Sequence, residues 1–429
     1  MPRSKKFHIA MIPTANAGVN YYRLMAFAKE MRKHPNVEVS VFAYSSNDIY
    51  RQIVVDRQGN ESIVNRPEPV HPWQRDIIEN PNARRQIESL CAIADVVIWQ
   101  PCHYPHSLDF FVDLRTKYEK PMILESDDNY IDVPPWNEAH NSFNPWSTIR
   151  HVALEHLRMA DGLVLSTPFL ADLYSQFNKN TLVMPNSLDF KIWDQVGTTK
   201  HKYTRIGWIG GRTHVQDLMM VAPAIREILK KYPKVWFYVI NSGLKHYAVN
   251  KKTDFILSDC PNVYYSDRTA PISLYPRFMS HFNFDIGIAP LEDCNFNRAK
   301  SNLRWLEYSA LKIPTVATKI SHFEQTITDG KDGLLIPNND LGLWREKLEY
   351  LINDESARKQ IGNAAYKTVK TSFNVRKNAS TYLKYLKDIS GYGLGIPDDG
   401  GLDDADGAIC FDRGSIERRE SRPIHYVAD

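Results

Sequence analysis

The chain has 429 residues, 43% of them hydrophobic and 24% charged, with a formal net charge of +3 at pH 7. At about 150 residues per domain this length predicts two or three domains. The composition excludes a fibrous or wholly disordered polypeptide. No apolar run approaches the roughly 20 residues that cross a bilayer. The basic start, Met1-Pro2-Arg3-Ser4-Lys5-Lys6, leads into a mixed strand and not into the apolar core of a leader. The expectation is therefore a cytoplasmic protein without a transmembrane segment. Five cysteines (Cys91, Cys102, Cys260, Cys294, Cys410) are scattered and form no Cys-x-x-Cys pair, which argues against a disulfide framework or a structural zinc. Cys102, next to His103, is a minor candidate nucleophile. Charge is uneven along the chain: −3 over residues 1–190, +11 over 191–390 and −5 over 391–429. The basic surplus of the second half suits an anionic ligand, with a solvated basic surface as the plain alternative.

Short apolar runs alternate with helical periodicity along most of the chain, the mark of βα units on parallel sheets. In the first half, strands are predicted at 7–13, 37–43, 95–100, 121–125, 162–166 and 181–184. Helices are predicted at 21–33, 84–94, 107–118, 147–160 and 168–177. The polar, proline-bearing stretch 45–81 shows no readable period. After a polar connector at 197–202 the pattern restarts, with strands at 204–210, 235–240, 262–266, 284–290, 313–318 and 333–336. Helices follow at 215–231, 273–281, 301–311, 341–352 and 357–372, and a last one at 375–389 has Asn374 as its N-cap. This predicts an α/β protein of two facing Rossmann-like, doubly wound domains, 1–190 and 191–390, with a ligand cleft at the carboxyl ends of their strands. The last helix is a candidate to pack back on the first domain. The tail 391–429, rich in glycine and acidic residues, is expected to be disordered.

Three segments could carry chemistry. In Arg298-Ala299-Lys300-Ser301-Asn302-Leu303-Arg304-Trp305-Leu306-Glu307-Tyr308, helical spacing puts Glu307 in the middle of an apolar face formed by Leu303, Leu306, Ala310 and Leu311. A carboxylate there needs a fixed partner. Two partners are open: a buried salt bridge, for which Lys300 projects near the same face, or two hydroxyls of a sugar ring. Lys300 and Ser301 at the helix start suit an anion. In Gly207-Trp208-Ile209-Gly210-Gly211-Arg212-Thr213-His214, a strand runs into two glycines and then a helix, with Thr213 and Gln216 spaced as a capping box. Gly210 and Gly211 permit close backbone approach, and Arg212 adds a planar bidentate donor. This is not Gly-x-Gly-x-x-Gly, and alone it reads equally as a tight turn. The third loop, 14–23, contains Gly18 and Asn20 and follows the first strand; it could close over a diphosphate from the opposite side or be a plain βα turn.

Together these residues resemble the retaining glycosyltransferases of family four, in the GT-B arrangement, over about residues 5–390. The most specific part is Lys300-Ser301-x-x-Arg304-x-x-Glu307-Tyr-x-Ala-x-x-x-Pro314, continuing to Gly330-x-x-Gly333. Met184-Pro185-Asn186-Ser187-Leu188-Asp189 and Asp285-Ile-Gly-Ile-Ala-Pro290 are similar to two further family elements. The resemblance implies a nucleotide-diphosphate-sugar donor (UDP- or GDP-sugar), with Glu307 on the ribose hydroxyls and Arg212 and Lys300 on the diphosphate. Ser301, Gly210, Gly211, Thr213, His214, Gly18 and Asn20 would line the donor site. His103 answers to a family position after the fourth strand, with a packed loop histidine as its alternative reading.

The chain departs from the common pattern at Ala299, where the family has its first glutamate. It follows instead the Lys-Ser-x-x-Lys/Arg-x-x-Glu branch of bacterial and phage genomes, and the Gly-Gly-Arg-Thr-His loop replaces the usual Arg and Lys phosphate pair. The branch implies no metal and no further cofactor. Asp127 and Asp128 at a strand end are the alternative, as Mg²⁺ or Mn²⁺ ligands. The implied reaction is hexose transfer with retention to a surface glycan or lipid-linked sugar. Competing readings are a phage-type enzyme acting on hydroxymethylated pyrimidines in DNA, a nucleotide-sugar epimerase, and a non-catalytic nucleotide-sugar sensor.

Overall fold

The computed structural model describes residues 6–14, 18–42, 50–55, 61–66, 78–137, 139–197, 199, 201–240, 257–268 and 270–392. The twelve predicted strands form two six-stranded parallel sheets. In chain order the first sheet comprises β1 (Phe7–Ile12), β2 (Val37–Val41), β5 (Val96–Trp99), β6 (Met122–Ser126), β7 (Gly162–Leu165) and β8 (Thr181–Val183), arranged β2-β1-β5-β6-β7-β8. The second comprises β9 (Thr204–Ile209), β10 (Val235–Ile240), β11 (Val263–Ser266), β12 (Ile286–Ala289), β13 (Thr315–Thr318) and β14 (Leu334–Ile336), arranged β11-β10-β9-β12-β13-β14. The interior strands are buried on both faces, as expected of parallel sheets covered by helices. Within the stretch that had no readable period, β3 (Tyr50–Val55) and β4 (Glu61–Arg66) pair as an antiparallel hairpin. The tail beyond Tyr392 lies outside the described residues, as do Cys410 and the turn 15–17.

Strand order reverses between β1 and β5 in the first sheet and between β9 and β12 in the second. Such points open a crevice beyond the strand ends. At the second one the pairing is short, with only Ile206↔Ile286 and Gly207↔Gly287 in register. Tyr308 fills the gap beyond it: its hydroxyl donates to the Gly207 carbonyl at 3.1 Å and accepts from the Ile209 amide at 3.1 Å. The ring can lie on the sheet because Gly287 has no side chain; a Cβ there would meet Tyr308 Cδ2 at 2.6 Å. Helix Leu303–Ala310, which carries Tyr308, is thereby fixed to the switch point. Gly287→Ala is expected to lower stability by about 3 kcal/mol through overpacking and to release this helix, as measured by urea denaturation.

The last helix, Val375–Ser390, starts at Asn374, whose side chain accepts from the Arg376 amide at 3.0 Å. Its buried face (Val375, Ala379, Tyr382, Leu383, Leu386) joins the core of Phe7, Ile9, Leu24 and Phe27 on the first sheet. This helix therefore packs on the half that holds β1. No helix among the described residues is long and apolar enough to cross a membrane.

Candidate active site

The helix after β1 is built from Gly18–Asn20, a π-turn at Tyr21–Met25 and Ala26–Met31. A π-turn shifts the helical face by one residue, a distortion frequent at functional sites. Here the consecutive residues Tyr22 and Arg23 both point inward, at 2% and 1% exposure. Tyr22 crosses to the second half and donates its hydroxyl to Glu307 Oε1 at 2.9 Å. Tyr275 lies near the same carboxylate. Burial pushes Glu307 up to about 7, against the opposing pull of the Tyr22 bond, the Arg304 charge and nearby Tyr275. Glu307 is thus a desolvated carboxylate beside the switch point, held by the Tyr22 phenol. Its partner is not Lys300, because that side chain points away across the cleft.

Lys300 forms an ion pair with Asp128, which follows β6 in the first half. The pair decides the charge state of both residues. Desolvation alone would raise Asp128 and lower Lys300; the opposite charge of each holds Asp128 down and Lys300 up. Adjacent Asp127 has no such partner, and burial with the charges of Asp128 and Glu125 pushes it up to about 7. The same edge is bridged at four more points. Asn186 Nδ2 donates to Ser301 Oγ at 2.7 Å, Thr167 Oγ1 to the Ala299 carbonyl at 3.1 Å, Asn129 Nδ2 to the Asn295 carbonyl at 3.3 Å, and Asn295 Nδ2 to Asp132 Oδ2 at 3.2 Å. The segment 295–301 therefore serves as a seam between the halves as well as the entry to helix Leu303–Ala310.

At the end of β9 the turn Arg212–His214 is a short 3-10 segment leading into helix Val215–Lys231. The expected Thr213–Gln216 capping box does not form. His214 takes the N-cap position, and its ring pairs through Nδ1 with Asp217 Oδ2 at 2.8 Å. Asp217 is fully buried and also accepts from the Glu292 amide and Asn297 Nδ2, each at 2.8 Å. It also fixes the imidazole, leaving Nε2 for the cleft. Burial lowers the His214 pKa despite the Asp217 bond.

The other predicted positions fall as follows. Gly210 ends β9 beside Trp208 and Arg304, and Gly211 is exposed with Thr213 next to it. The side chain of Arg212 lies outside the described residues. Gly18 is exposed at the start of the helix after β1, where an added Cβ would meet nothing nearer than Tyr22 at 3.9 Å. Asn20 is 3% exposed, and its Oδ1 has no hydrogen-bond partner among the described residues. His103 stands edge-on to Tyr130 and Phe143, at 4.7 and 5.0 Å, and burial pushes its pKa down to about 3. This packing agrees with the packed-histidine alternative. The Cys102 thiol is buried and pushed up to about 11, which removes it as a nucleophile at neutral pH. Among the described residues no group of three or more His, Cys, Asp or Glu could hold a metal ion, and Asp128 is engaged with Lys300. Sequence reasoning missed Tyr22, Tyr275 and Arg23 as partners of the site. Arg304 stood in the quoted motif but received no role.

Two facing Rossmann-like domains with a cleft at their strand ends define the architecture as α/β of the GT-B type, and solved structures agree. Sucrose-phosphate synthase from Thermosynechococcus elongatus superposes with a TM-score of 0.63 at 13% identity, covering 90% of this chain and all of that one. HepE of Anabaena, in complex with UDP and glucose, gives 0.62 at 12% identity over 89% of this chain and all of its own. At such identities the likeness is one of fold. More particularly, residues 303–368 match the family model of glycosyl transferases group 1, a match that begins on the helix bearing Arg304 and Glu307. The capsular polysaccharide biosynthesis glycosyltransferase CapM of Staphylococcus aureus is 26% identical over 191 residues, 43% of this chain. That match spans about half the length of the relative, 47%.

Proposed function

We propose that the chain is a glycosyltransferase that moves a hexose from a nucleotide diphosphate sugar to an acceptor hydroxyl with retention, without a metal. The observation that carries this reading is the desolvated Glu307 carboxylate at the β9/β12 switch point, in the segment that matches the group 1 model. A buried carboxylate satisfied by a phenol hydroxyl is chemically ready to accept the hydroxyls of a ribose instead. Lys300, His214 and Arg212 belong to segments meeting at the same strand ends and would neutralise charge growing on the leaving diphosphate. The leaving phosphate takes the acceptor proton, so the protein's task is positioning and charge stabilisation. The nucleotide-bound HepE structures support a uridine nucleotide as the first donor to test, and CapM supports a capsule-type surface glycan or its lipid-linked precursor as acceptor.

The test is a thermal-shift screen of UDP, GDP, ADP, CMP and their common sugars in EDTA. The expected result is stabilisation by several degrees with one nucleotide family, about 3 kcal/mol at 100 Kd. Stabilisation appearing only on addition of Mn²⁺ overturns the metal-free reading and moves Asp127 and Asp128 to the centre. No shift under either condition overturns the donor cleft.

A further inference from the structure

Arg304 is the cation that the contacts above leave unused. It lies one turn before Glu307, partly buried. Its guanidinium carbon stands 5.4 Å from the centroid of the Trp208 ring, and Trp208 itself is fully buried. Nη1 lies 3.1 Å from the place a Cβ on Gly210 would occupy. Arg304 makes no hydrogen bond or ion pair to any described residue. Other cations along this edge are committed: Lys300 to Asp128, Arg23 to Glu125, and Arg298 through two bonds to Asp293. Glu307, whose carboxylate feels the Arg304 charge, is hydrogen-bonded to Tyr22 and forms no ion pair with Arg304.

Holding a guanidinium partly out of water without a counter-ion is costly, and a ring face repays only about 1 kcal/mol of it. The cost is recovered when an anion arrives. Glycine at 210 is what lets the Trp208 ring and Arg304 Nη1 come up against the backbone at the end of β9, since a Cβ there would meet Trp208 at 2.6 Å and Nη1 at 3.1 Å; an anion held by the backbone of the Gly210-Gly211 turn would lie beside that guanidinium. We propose that Arg304 grips the diphosphate of the donor, with Trp208 as the positioning residue that fixes the guanidinium plane. The proposal rests on the nucleotide-sugar reading and deepens it. Arg304 and Glu307 are three residues apart, about 4.5 Å along the helix axis. One helical face thus presents a carboxylate and a guanidinium at a separation comparable to that between the diol and the 5′-phosphates of one nucleotide. Arginine is suited to this because its planar fork binds phosphate oxygens bidentately.

The experiment is calorimetric titration of the nucleoside, its monophosphate and its diphosphate, for the base that stabilises the wild type most. Wild type, Arg304→Gln, Arg304→Lys, Trp208→Phe and Glu307→Gln are compared. Wild type is expected to gain at least about tenfold in affinity from monophosphate to diphosphate. Arg304→Gln is expected to erase that step while leaving nucleoside affinity unchanged, and Arg304→Lys to recover part of it. Trp208→Phe is expected to keep the fold and shrink the step. Glu307→Gln is expected to weaken all three ligands alike. An unchanged monophosphate-to-diphosphate ratio in Arg304→Gln overturns the proposal and leaves the nucleotide site standing. A wild type that binds none of the three overturns the underlying reading instead.

Discussion

Glu307→Gln is expected to make the protein more stable and nearly unable to hold its donor. The two effects have one cause. Burial raises the Glu307 pKa to about 7 from an ordinary value of 4.5. Its charged form is therefore disfavoured in the folded chain relative to the unfolded one, by roughly 3 kcal/mol at alkaline pH. A glutamine keeps a carbonyl oxygen for Tyr22 and removes that burden. The melting temperature at pH 8 is expected to rise by a few degrees. The variant cannot offer two acceptor oxygens and a charge to a pair of ribose hydroxyls, each such charged hydrogen bond contributing about 1.5–3 kcal/mol. Donor affinity is expected to fall by about 100-fold or more. A variant with a higher melting temperature and unchanged nucleotide affinity would leave Glu307 a structural residue and remove the central assignment.

The pH dependence follows with a definite sign. A carboxyl whose folded pKa lies above its unfolded one binds more protons when folded. Its contribution to stability is fully present below about pH 4.5 and is lost as pH rises through about 7. Asp127, also raised to about 7, acts in the same direction. Wild-type stability is therefore expected to decline between pH 5 and 8 more steeply than that of Glu307→Gln. Nucleotide affinity, which needs the ionised carboxylate, is expected to rise over the same interval. Denaturation midpoints and titrations at pH 5.5, 6.5 and 7.5 check both slopes. Parallel stability profiles in the two proteins would contradict the raised Glu307 pKa.

The strands were legible because parallel strands buried on both faces are continuous apolar runs, and every predicted run in the two sheets overlaps an observed strand. Glu307 was legible for the opposite reason: it breaks an apolar helical face, and a buried acid has to be explained. Its partners were not. Tyr22 and Glu307 are separated by 285 residues, and no local period connects them. A π-turn, which buries Tyr22 and Arg23 together, leaves no periodic signature either. The capping-box reading at Thr213 failed because the helix begins one residue later, with His214 at the N-cap position and a 3-10 turn before it, and the sequence does not mark that shift. Arg304 was visible as a residue of the motif. Only its lack of a hydrogen bond or ion pair to any described residue marks it as available to an anion. The hairpin at β3 and β4 was missed because each strand holds only a short apolar run, Ile53-Val54-Val55 and Ile63-Val64, flanked by polar residues and without period-2 alternation.

Arg23→Met is expected to be the most destabilising single change beneath the cleft, and the reason lies in what it leaves behind. Arg23 and Glu125 are each 1% exposed and joined at 2.6 Å. The other Glu125 oxygen accepts from Gln100 at 2.9 Å. The guanidinium also donates to the Met184 carbonyl, and to Asn186 Oδ1 at 3.3 Å. Asn186 in turn donates to Ser301 across the domain seam. Removing the cation strands a carboxylate in the core, a cost of about 3–5 kcal/mol. The arginine also restrains the pKa of Asp127, so its loss is expected to push that group higher. Replacing both partners, Arg23→Met with Glu125→Gln, is expected to restore most of the lost stability, because a neutral amide needs no counter-ion. Urea denaturation of the two single variants and the double variant measures the coupling directly. Strong recovery in the double variant with nucleotide affinity still reduced would show that this buried pair serves the seam through Asn186 and Ser301 more than it serves folding. Additive losses would mean that the two charges are not partners and that the route from the first strand to the donor helix runs elsewhere.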